Sequence, residues 1–185
     1  MHGRPGDGDA TRFFLAMILV LTFVMNTIGR GVTETFAVFL LPVQEGLSVS
    51  RSEITLTYSI YMLANGCTAP FAGQLIDRLG ARATYGLGIL SLGMGYCLAG
   101  YATHIVHYYI CVGLLGGIGA ASLGMVAASS LLSRWFVNRI GSVMSLPYAA
   151  VGAGMIAIPP LAQLLIGWYG WRVSHQLIGA GVLAL

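Results

Sequence analysis

The chain contains no lysine and few charged residues of any kind. Nine arginines and six acidic residues make up a charged fraction of 8% in 185 residues. A soluble domain carries roughly 25% charged residues, so this surface would be poorly solvated in water. The formal net charge of +3 is small and its residues are scattered. Nucleic-acid binding therefore has no basis in the sequence.

Cysteines and carboxylates are also scarce, and their positions exclude several kinds of site. Cys67, Cys97 and Cys111 lie in apolar stretches, their number is odd and no CxxC occurs, so neither a disulfide framework nor a zinc site is indicated. His104 and His107 have a metal-compatible spacing but no third ligand. We predict no metal and no cofactor. Since no carboxylate lies near a histidine in the sequence, enzyme activity is not expected either.

Apolar residues and glycine are what the chain has in excess. Hydrophobic residues make up 57% of the sequence, glycine occurs 26 times, and the mean hydropathy is +0.82. Small residues let helix backbones approach closely in lipid. The spacing of Gly113 with Gly117, and of Gly116 with Ala120, predicts a helix contact surface.

The apolar residues fall into six stretches, which predict an all-α membrane protein. A polar leader covers residues 1–12, and a transmembrane bundle covers residues 13–185. Ser50 and Glu53 have the spacing of a capping box at the start of the second span. The sixth stretch is shorter than the roughly 20 residues that a span needs, so we expect it to be incomplete. The predicted spans are about 13–41, 51–76, 84–101, 107–132, 140–166 and 173–185.

The arginines predict the orientation of the bundle. With a cytoplasmic amino terminus, the outer loops hold only Arg51 and Arg172. This asymmetry agrees with the positive-inside rule and predicts a multi-pass protein of the cell (inner) membrane. The aromatic residues Trp168, Tyr169 and Trp171 are expected at the outer interface. The inner segments then hold Arg4, Arg12, Arg78, Arg82, Arg134 and Arg139.

The loop after the second span carries a recognisable motif. Residues 73–82 read Gly-Gln-Leu-Ile-Asp-Arg-Leu-Gly-Ala-Arg. This segment resembles the signature G-x-L-x-D-R-x-G-R-R of the major facilitator superfamily, with Ala81 in place of one basic residue. Gly80 would permit a tight turn before the third span.

Three further segments resemble the monocarboxylate porter and oxalate/formate antiporter branches of that superfamily. The matching segments are Val38-Phe39-Leu40-Leu41-Pro42 leading to Ser50-Arg51-Ser52-Glu53, then Arg134-Trp135-Phe136 with Arg139, and finally Gly170-Trp171-Arg172. Two positions depart from the pattern of these branches: Ile140, where a second arginine is common, and Pro147-Tyr148.

The resemblance implies the amino-terminal six-helix half of a 12-helix transporter, with its sixth helix truncated. Such a protein would carry a small organic anion such as a monocarboxylate by alternating access, with proton symport or anion exchange. Its partners would be the lipid bilayer and the missing carboxyl-terminal six-helix half.

The resemblance also assigns a gating role to the loop. Asp77 would form a charge relay with Arg134 that latches the two halves in the outward-open state. Alternatively, these charges only anchor helix ends at the headgroups. The predicted gating residues are Gly73, Asp77, Arg78, Gly80, Arg82 and Arg134.

Two charges lie inside a predicted span. Arg30 and Glu34 are spaced i, i+4 on one face of the first span. Because charges in a span usually face an aqueous path, Arg30 would bind an anionic substrate, and Glu34 would position Arg30 or take part in proton coupling. Alternatively, Arg30 has already reached the outer headgroups. Asn26 and Tyr148 are further candidates for substrate binding, with ordinary interhelical hydrogen bonds as the alternative.

Two other kinds of protein are compatible with parts of this pattern. A non-transporting half-size membrane scaffold or regulatory subunit would share the spans but pair with another chain. An intramembrane enzyme would require a catalytic dyad, and the sequence contains no candidate for one.

Overall fold

The computed structural model describes residues 7–136 and 140–185, and the regular elements in these ranges are helices. Arg4 and Arg139 of the predicted inner arginines lie outside the described residues. The predicted all-helical class is confirmed for the described ranges. In chain order the elements are α1 (Asp7–Glu34), α2 (Phe36–Leu47), α3 (Arg51–Ala99), α4 (Ile105–Tyr108), a π-helical segment (Tyr109–Leu115), α5 (Gly116–Leu123), α6 (Met125–Trp135) and α7 (Ile140–Leu183).

Three helical stretches in the described ranges are long and apolar enough to cross a bilayer. They are Leu15–Leu47, Ile105–Trp135 and Gly141–Leu183, with 33, 31 and 43 residues. Roughly 20 helical residues suffice for one crossing, so the last stretch has the length of two. The six spans predicted from the sequence are not confirmed by this count. The predicted spans 51–76 and 84–101 lie within α3, which is not among the three stretches, and 140–166 and most of 173–185 lie within α7.

Helix α3 reverses direction at Gly80. The backbone there has φ 84° and ψ 169°, a conformation that glycine adopts without steric cost. The predicted turn at Gly80 is confirmed. The arm before Gly80 runs parallel to the stretch from the π-helical segment to α6, because residue numbers rise together along the two. The contacts are Gly113 with Ile60, Gly117 with Ala64, and Val126 with Gly73. The arm after Gly80 runs the opposite way, as Gly95 lies against Cys111, Gly119 against Leu92, and Gly88 against Leu123.

Helix α7 repeats this arrangement at Gly170. Its φ of 74° and ψ of 168° match those of Gly80, and an arginine follows two residues later in both places. The arm before Gly170 runs parallel to α1, as Thr27 donates to the carbonyl of Ala150 and Gly31 lies against Ile158. The arm after Gly170 is antiparallel to the second arm of α3, as Arg172 lies beside Gly100, Gly179 beside Cys97, and Leu183 beside Gly93.

The capping box predicted at the start of α3 is confirmed. The Glu53 amide donates to Ser50 Oγ at 3.3 Å, and the Ser50 amide donates to Glu53 Oε2 at 2.8 Å. These bonds satisfy groups that a helix start otherwise leaves unpaired.

Glycines bring the helices into close contact, as the spacing around Gly117 predicts. A Cβ atom at Gly117 would lie 2.6 Å from the carbonyl oxygen of Tyr61 and 2.8 Å from the Cβ of Ala64. The contact between α7 and α1 is equally close, because a Cβ at Gly154 would overlap the carbonyl oxygen of Thr27. These positions exclude any larger side chain unless the helices separate.

This packing yields a matched prediction for two glycines of α7. Gly154→Val should destabilise the bundle by about 1–3 kcal/mol or more, since the added methyls would push α7 away from α1. Gly152→Val is the control, because a Cβ at Gly152 meets no atom within 4 Å. We expect thermal unfolding in detergent to begin several degrees lower for Gly154→Val alone. Equal losses in both variants would contradict the packing.

One end of the bundle is closed by an aromatic cluster around His175. The histidine is fully buried and pairs with two groups: Nε2 lies 3.1 Å from the Tyr108 hydroxyl, and Nδ1 lies 2.9 Å from the Trp171 carbonyl. Phe39 packs against the imidazole with a centroid distance of 3.8 Å and an interplanar angle of 48°. Trp171 is therefore part of the packing, whereas Trp168 is exposed, as expected of an interface residue.

Candidate functional site

A cavity of about 320 Å³ lies between α1, α3, α5, α6 and α7. Sites for small molecules are typically concave, mostly apolar and about 300 to 1,000 Å³ in volume. Its lining combines small residues from the middle of the chain with polar side chains from α1 and α3. The lining residues are Asn26, Gly29, Arg30, Thr33, Tyr61, Asn65, Ala69, Ala120, Ala121, Gly124, Met125, Val126, Tyr148 and Val151.

Arg30 is the cation of this cavity and lies in the last turns of α1. The two glycines beside it do not interrupt the helix, which continues to Glu34. The Arg30 Nη2 atom lies 2.7 Å from Glu34 Oε1, as the i, i+4 spacing predicts. Glu34 itself is not among the residues that line the cavity. The Arg30 Nε atom is buried and has no hydrogen-bond partner among the described residues.

A helix break at Gly124 also lies in the lining of this cavity. Gly124 has ψ −168° and separates α5 from α6. Gly124, Met125 and Val126 all line the cavity. Backbone amides in the first turn of a helix lack an intrahelical acceptor and carry a partial positive charge. The break therefore brings amides at the start of α6 and carbonyls at the end of α5 to the lining of the cavity that holds Arg30.

The two other substrate-binding candidates also line the cavity. Asn26 is buried, and its Nδ2 donates to the Thr22 carbonyl at 2.9 Å. This bond lies within α1, so it is not the interhelical bond considered as the alternative. Tyr148 is 66% exposed and lines the cavity from α7. A role for either residue in substrate binding stays a prediction.

The sequence analysis missed three polar residues of the lining: Thr33, Tyr61 and Asn65. The Tyr61 and Thr33 hydroxyl oxygens lie 2.6 Å apart, and Asn65 Nδ2 donates to the Gly117 carbonyl at 3.4 Å. Tyr61 and Asn65 are spaced i, i+4, which places both on one helix face. This spacing is the feature of the sequence that could have identified Tyr61 and Asn65 as candidates.

The predicted gating residues lie at the end of the bundle where α3 reverses. Arg134 Nη2 lies 2.8 Å from Asp77 Oδ1 and 3.1 Å from the Asp77 carbonyl oxygen, so the structure brings the two predicted relay residues together. Arg78 and Arg82 are exposed beside this pair, and Arg82 and Arg134 also line an apolar groove of about 600 Å³.

Gly73 allows close packing between α3, which carries Asp77, and α6, which carries Arg134. The residue is buried, and a Cβ there would lie 3.3 Å from Val126 Cγ1 and 3.4 Å from Ser130 Oγ. Without a side chain at this position, α3 approaches α6 closely one turn before Asp77. The gating role of these residues stays a prediction.

Comparison with known proteins adds a family match. A family model described as Major Facilitator Superfamily matches residues 15–185. The chain is 26% identical to the Uncharacterized MFS-type transporter YcxA of Bacillus subtilis over 91% of its own length and 41% of that protein. It is 29% identical to Monocarboxylate transporter 13 of Rattus norvegicus, covering 89% of this chain and 38% of the rat protein. Monocarboxylate transporter 11 of Homo sapiens is 26% identical, over 91% and 36%. The chain thus spans less than half the length of these curated relatives.

Proposed function

The chain belongs to the Major Facilitator Superfamily, and from that premise we propose that it is the amino-terminal half of a secondary active transporter for small organic anions. The cavity lined by Arg30 carries this proposal. The whole molecule would consist of two six-helix halves that rock about a site at the middle of the membrane.

The proposed half has six membrane crossings. Support comes from the reversals at Gly80 and Gly170, each of which divides a long helix into two arms. With α1–α2 as the first crossing and the π-helical segment through α6 as the fourth, the arms add four more. Their packing directions alternate along the chain, as successive crossings must. The amino terminus would lie in the cytoplasm, with the loop at Asp77–Arg82 on the same side.

The positive groups of the cavity support an anionic cargo. Arg30 offers a guanidinium and the start of α6 offers backbone amides, and both line the same space. A carboxylate between them would form charge-assisted hydrogen bonds, which are stronger than neutral ones. The names of two relatives support a monocarboxylate in particular. A cavity of about 320 Å³ has room for a small organic molecule.

Glu34 would couple this anion to a proton. In the empty site the Glu34 carboxylate neutralises Arg30 across 2.7 Å. An arriving carboxylate would compete with Glu34 for the guanidinium, and protonation of Glu34 would remove the competitor. Anion and proton would then move together, which is symport. Exchange of one anion for another would need no proton and would leave Glu34 ionised.

The Asp77–Arg134 pair would act as the latch of the cytoplasmic end. It joins α3 to α6, and α6 begins at the cavity. A change in the angle of α6 would therefore alter the latch and the binding wall together. The pair would stabilise the state in which the cytoplasmic side is closed.

Reconstitution tests the proposed function. The chain is incorporated into liposomes alone and together with a carboxyl-terminal six-helix half from the superfamily, and uptake of radiolabelled butanoate is measured with an inward proton gradient. We expect uptake only when both halves are present, and a smaller rate when the gradient is collapsed. Association of the halves without uptake of any carboxylate would contradict transport and favour a scaffold.

A further inference from the structure

The hydrogen bond between the Thr33 and Tyr61 hydroxyl groups has only one direction that avoids repulsion between oxygen lone pairs. Thr33 Oγ1 lies 2.7 Å from the Gly29 carbonyl oxygen, which accepts and cannot donate. If the Thr33 proton turned away, two oxygen lone pairs would face each other at that distance. The Thr33 proton is therefore directed to Gly29, and the Tyr61 hydroxyl, 2.6 Å from Thr33 Oγ1, donates to it. Tyr61 keeps only acceptor lone pairs for a ligand.

Two amides of the cavity also have an acceptor oxygen. Asn26 Nδ2 donates to the Thr22 carbonyl, and Asn65 Nδ2 donates to the Gly117 carbonyl. In each case a carbonyl partner requires the amide nitrogen, so the amide oxygen and the second N–H are left for other partners. Tyr61, Asn26 and Asn65 all line the cavity, and each retains an acceptor oxygen.

The charged and backbone donors of the cavity belong to a different set of groups. They are the Arg30 guanidinium, whose Nε has no partner among the residues that the structure describes, and the backbone amides that begin α6. A simple carboxylate would use the donors and leave the acceptors facing its hydrocarbon part. Polar groups that lose water without a partner disfavour such a ligand.

We propose that Tyr61 is a specificity-determining residue that accepts a hydrogen bond from the substrate, and that the site prefers carboxylates that also carry a hydroxyl group. This inference rests on the proposed function and names the substrate class of the same cavity. The carboxylate lies at Arg30 and the start of α6, and the hydroxyl donates to Tyr61 Oη.

The donor on the substrate is a hydroxyl rather than an ammonium group. An ammonium ion would need a charged acceptor to compensate for lost hydration. The acidic residue nearest to Arg30 along α1, Glu34, is paired with it and does not line the cavity. The acceptors of Tyr61, Asn26 and Asn65 are neutral oxygens, which suit a neutral donor.

The test compares three four-carbon acids of similar shape: 2-hydroxybutanoate, 2-oxobutanoate and butanoate. KM for uptake is measured with both halves in liposomes. The unmodified transporter should have the lowest KM for the hydroxy acid. In Tyr61→Phe, the KM ratio of butanoate to 2-hydroxybutanoate should fall by about 2- to 12-fold, which corresponds to one neutral hydrogen bond. Tyr58→Phe is the control, because Tyr58 stacks on Tyr61 but does not line the cavity.

A second variant tests the direction of the hydrogen bond. Thr33→Val keeps the shape of the side chain but removes the acceptor for the Tyr61 proton, so Tyr61 becomes free to donate. Selectivity should then shift from the hydroxy acid toward 2-oxobutanoate, which can only accept. A purely structural role for Tyr61 would raise KM for all three acids alike.

The possible results distinguish a failure of this inference from a failure of the proposed transport function. Uptake of all three acids with KM ratios unchanged in Tyr61→Phe and Thr33→Val would overturn the role of Tyr61 and leave anion transport standing. Uptake of none of the acids by the unmodified protein would overturn both. Better uptake of 2-aminobutanoate than of 2-hydroxybutanoate would replace the hydroxyl with an ammonium group and overturn the stated class.

Discussion

Replacing Arg30 by glutamine should lower butanoate uptake by roughly 10- to 150-fold. A hydrogen bond to a charged group contributes about 1.5–3 kcal/mol, and no other cationic side chain is among the residues that line the cavity. Glutamine keeps a polar side chain at the same place without the charge. The measurement is the initial rate of uptake into liposomes that contain both halves, at matched protein density.

Two further substitutions make the Arg30 result specific. Arg51→Gln removes an exposed arginine at the first residue of α3, outside the cavity, and should leave uptake unchanged. Arg30→Lys keeps the charge but not the planar guanidinium, and should give an intermediate rate. Equal rates for Arg30→Gln and Arg51→Gln would exclude Arg30 from the binding site.

The partner of Arg30 requires a separate control. With Arg30 gone, the Glu34 carboxylate would stay near the cavity without its cation and would repel an anion. The double variant Arg30→Gln/Glu34→Gln removes this repulsion. The uptake rate of this double variant should stay low, because the substrate carboxylate still has no cationic side chain to bind. Recovery to the original rate would assign the loss to repulsion by Glu34 alone.

The second large effect concerns the ion pair between Asp77 and Arg134. Asp77→Asn should lower the maximal rate about tenfold, a typical size for coupling between a conformational equilibrium and a distant site. Because the pair lies at the helix ends and not at the cavity, KM should change little. The measurement is uptake over a range of butanoate concentrations.

A charge exchange distinguishes a latch from a simple anchor. The double variant Asp77→Arg/Arg134→Asp restores the side-chain pair in the opposite sense and should recover part of the rate. Glu45→Gln, at an exposed carboxylate in α2, serves as the neutral control. If the exchanged pair were as slow as either single variant, the two residues would act independently at the headgroups, as anchors do.

Much of the framework follows from the sequence because its signals are local. The capping box at Ser50 and the turn at Gly80 depend on a few neighbouring residues, and both are found where predicted. The closeness of Asp77 and Arg134 was a prediction from resemblance alone, since 57 residues separate them. Hydropathy identified the apolar stretches, but the three helical stretches long and apolar enough to cross a membrane in the described ranges do not confirm the six predicted spans.

The polarity of the cavity could not be predicted from the sequence. A threonine in a helix can bond its own backbone or a neighbour, and Thr33 does both. The direction of the Tyr61 bond depends on that choice, which only the three-dimensional contact with Gly29 decides. The break at Gly124 is similar, because a glycine in an apolar span is equally compatible with a continuous helix.

Accessibility of single cysteines tests the central claim, which is that the chain crosses the membrane repeatedly with the loop at Asp77–Arg82 inside. Cys67, Cys97 and Cys111 are first replaced by serine, and Leu79→Cys and Tyr101→Cys are then introduced separately; both native side chains are exposed. Intact cells are treated with a membrane-impermeant maleimide. We predict that Tyr101→Cys is labelled at once and Leu79→Cys only after the cells are permeabilised. Labelling of Leu79→Cys in intact cells would contradict the topology, and with it the latch and the site.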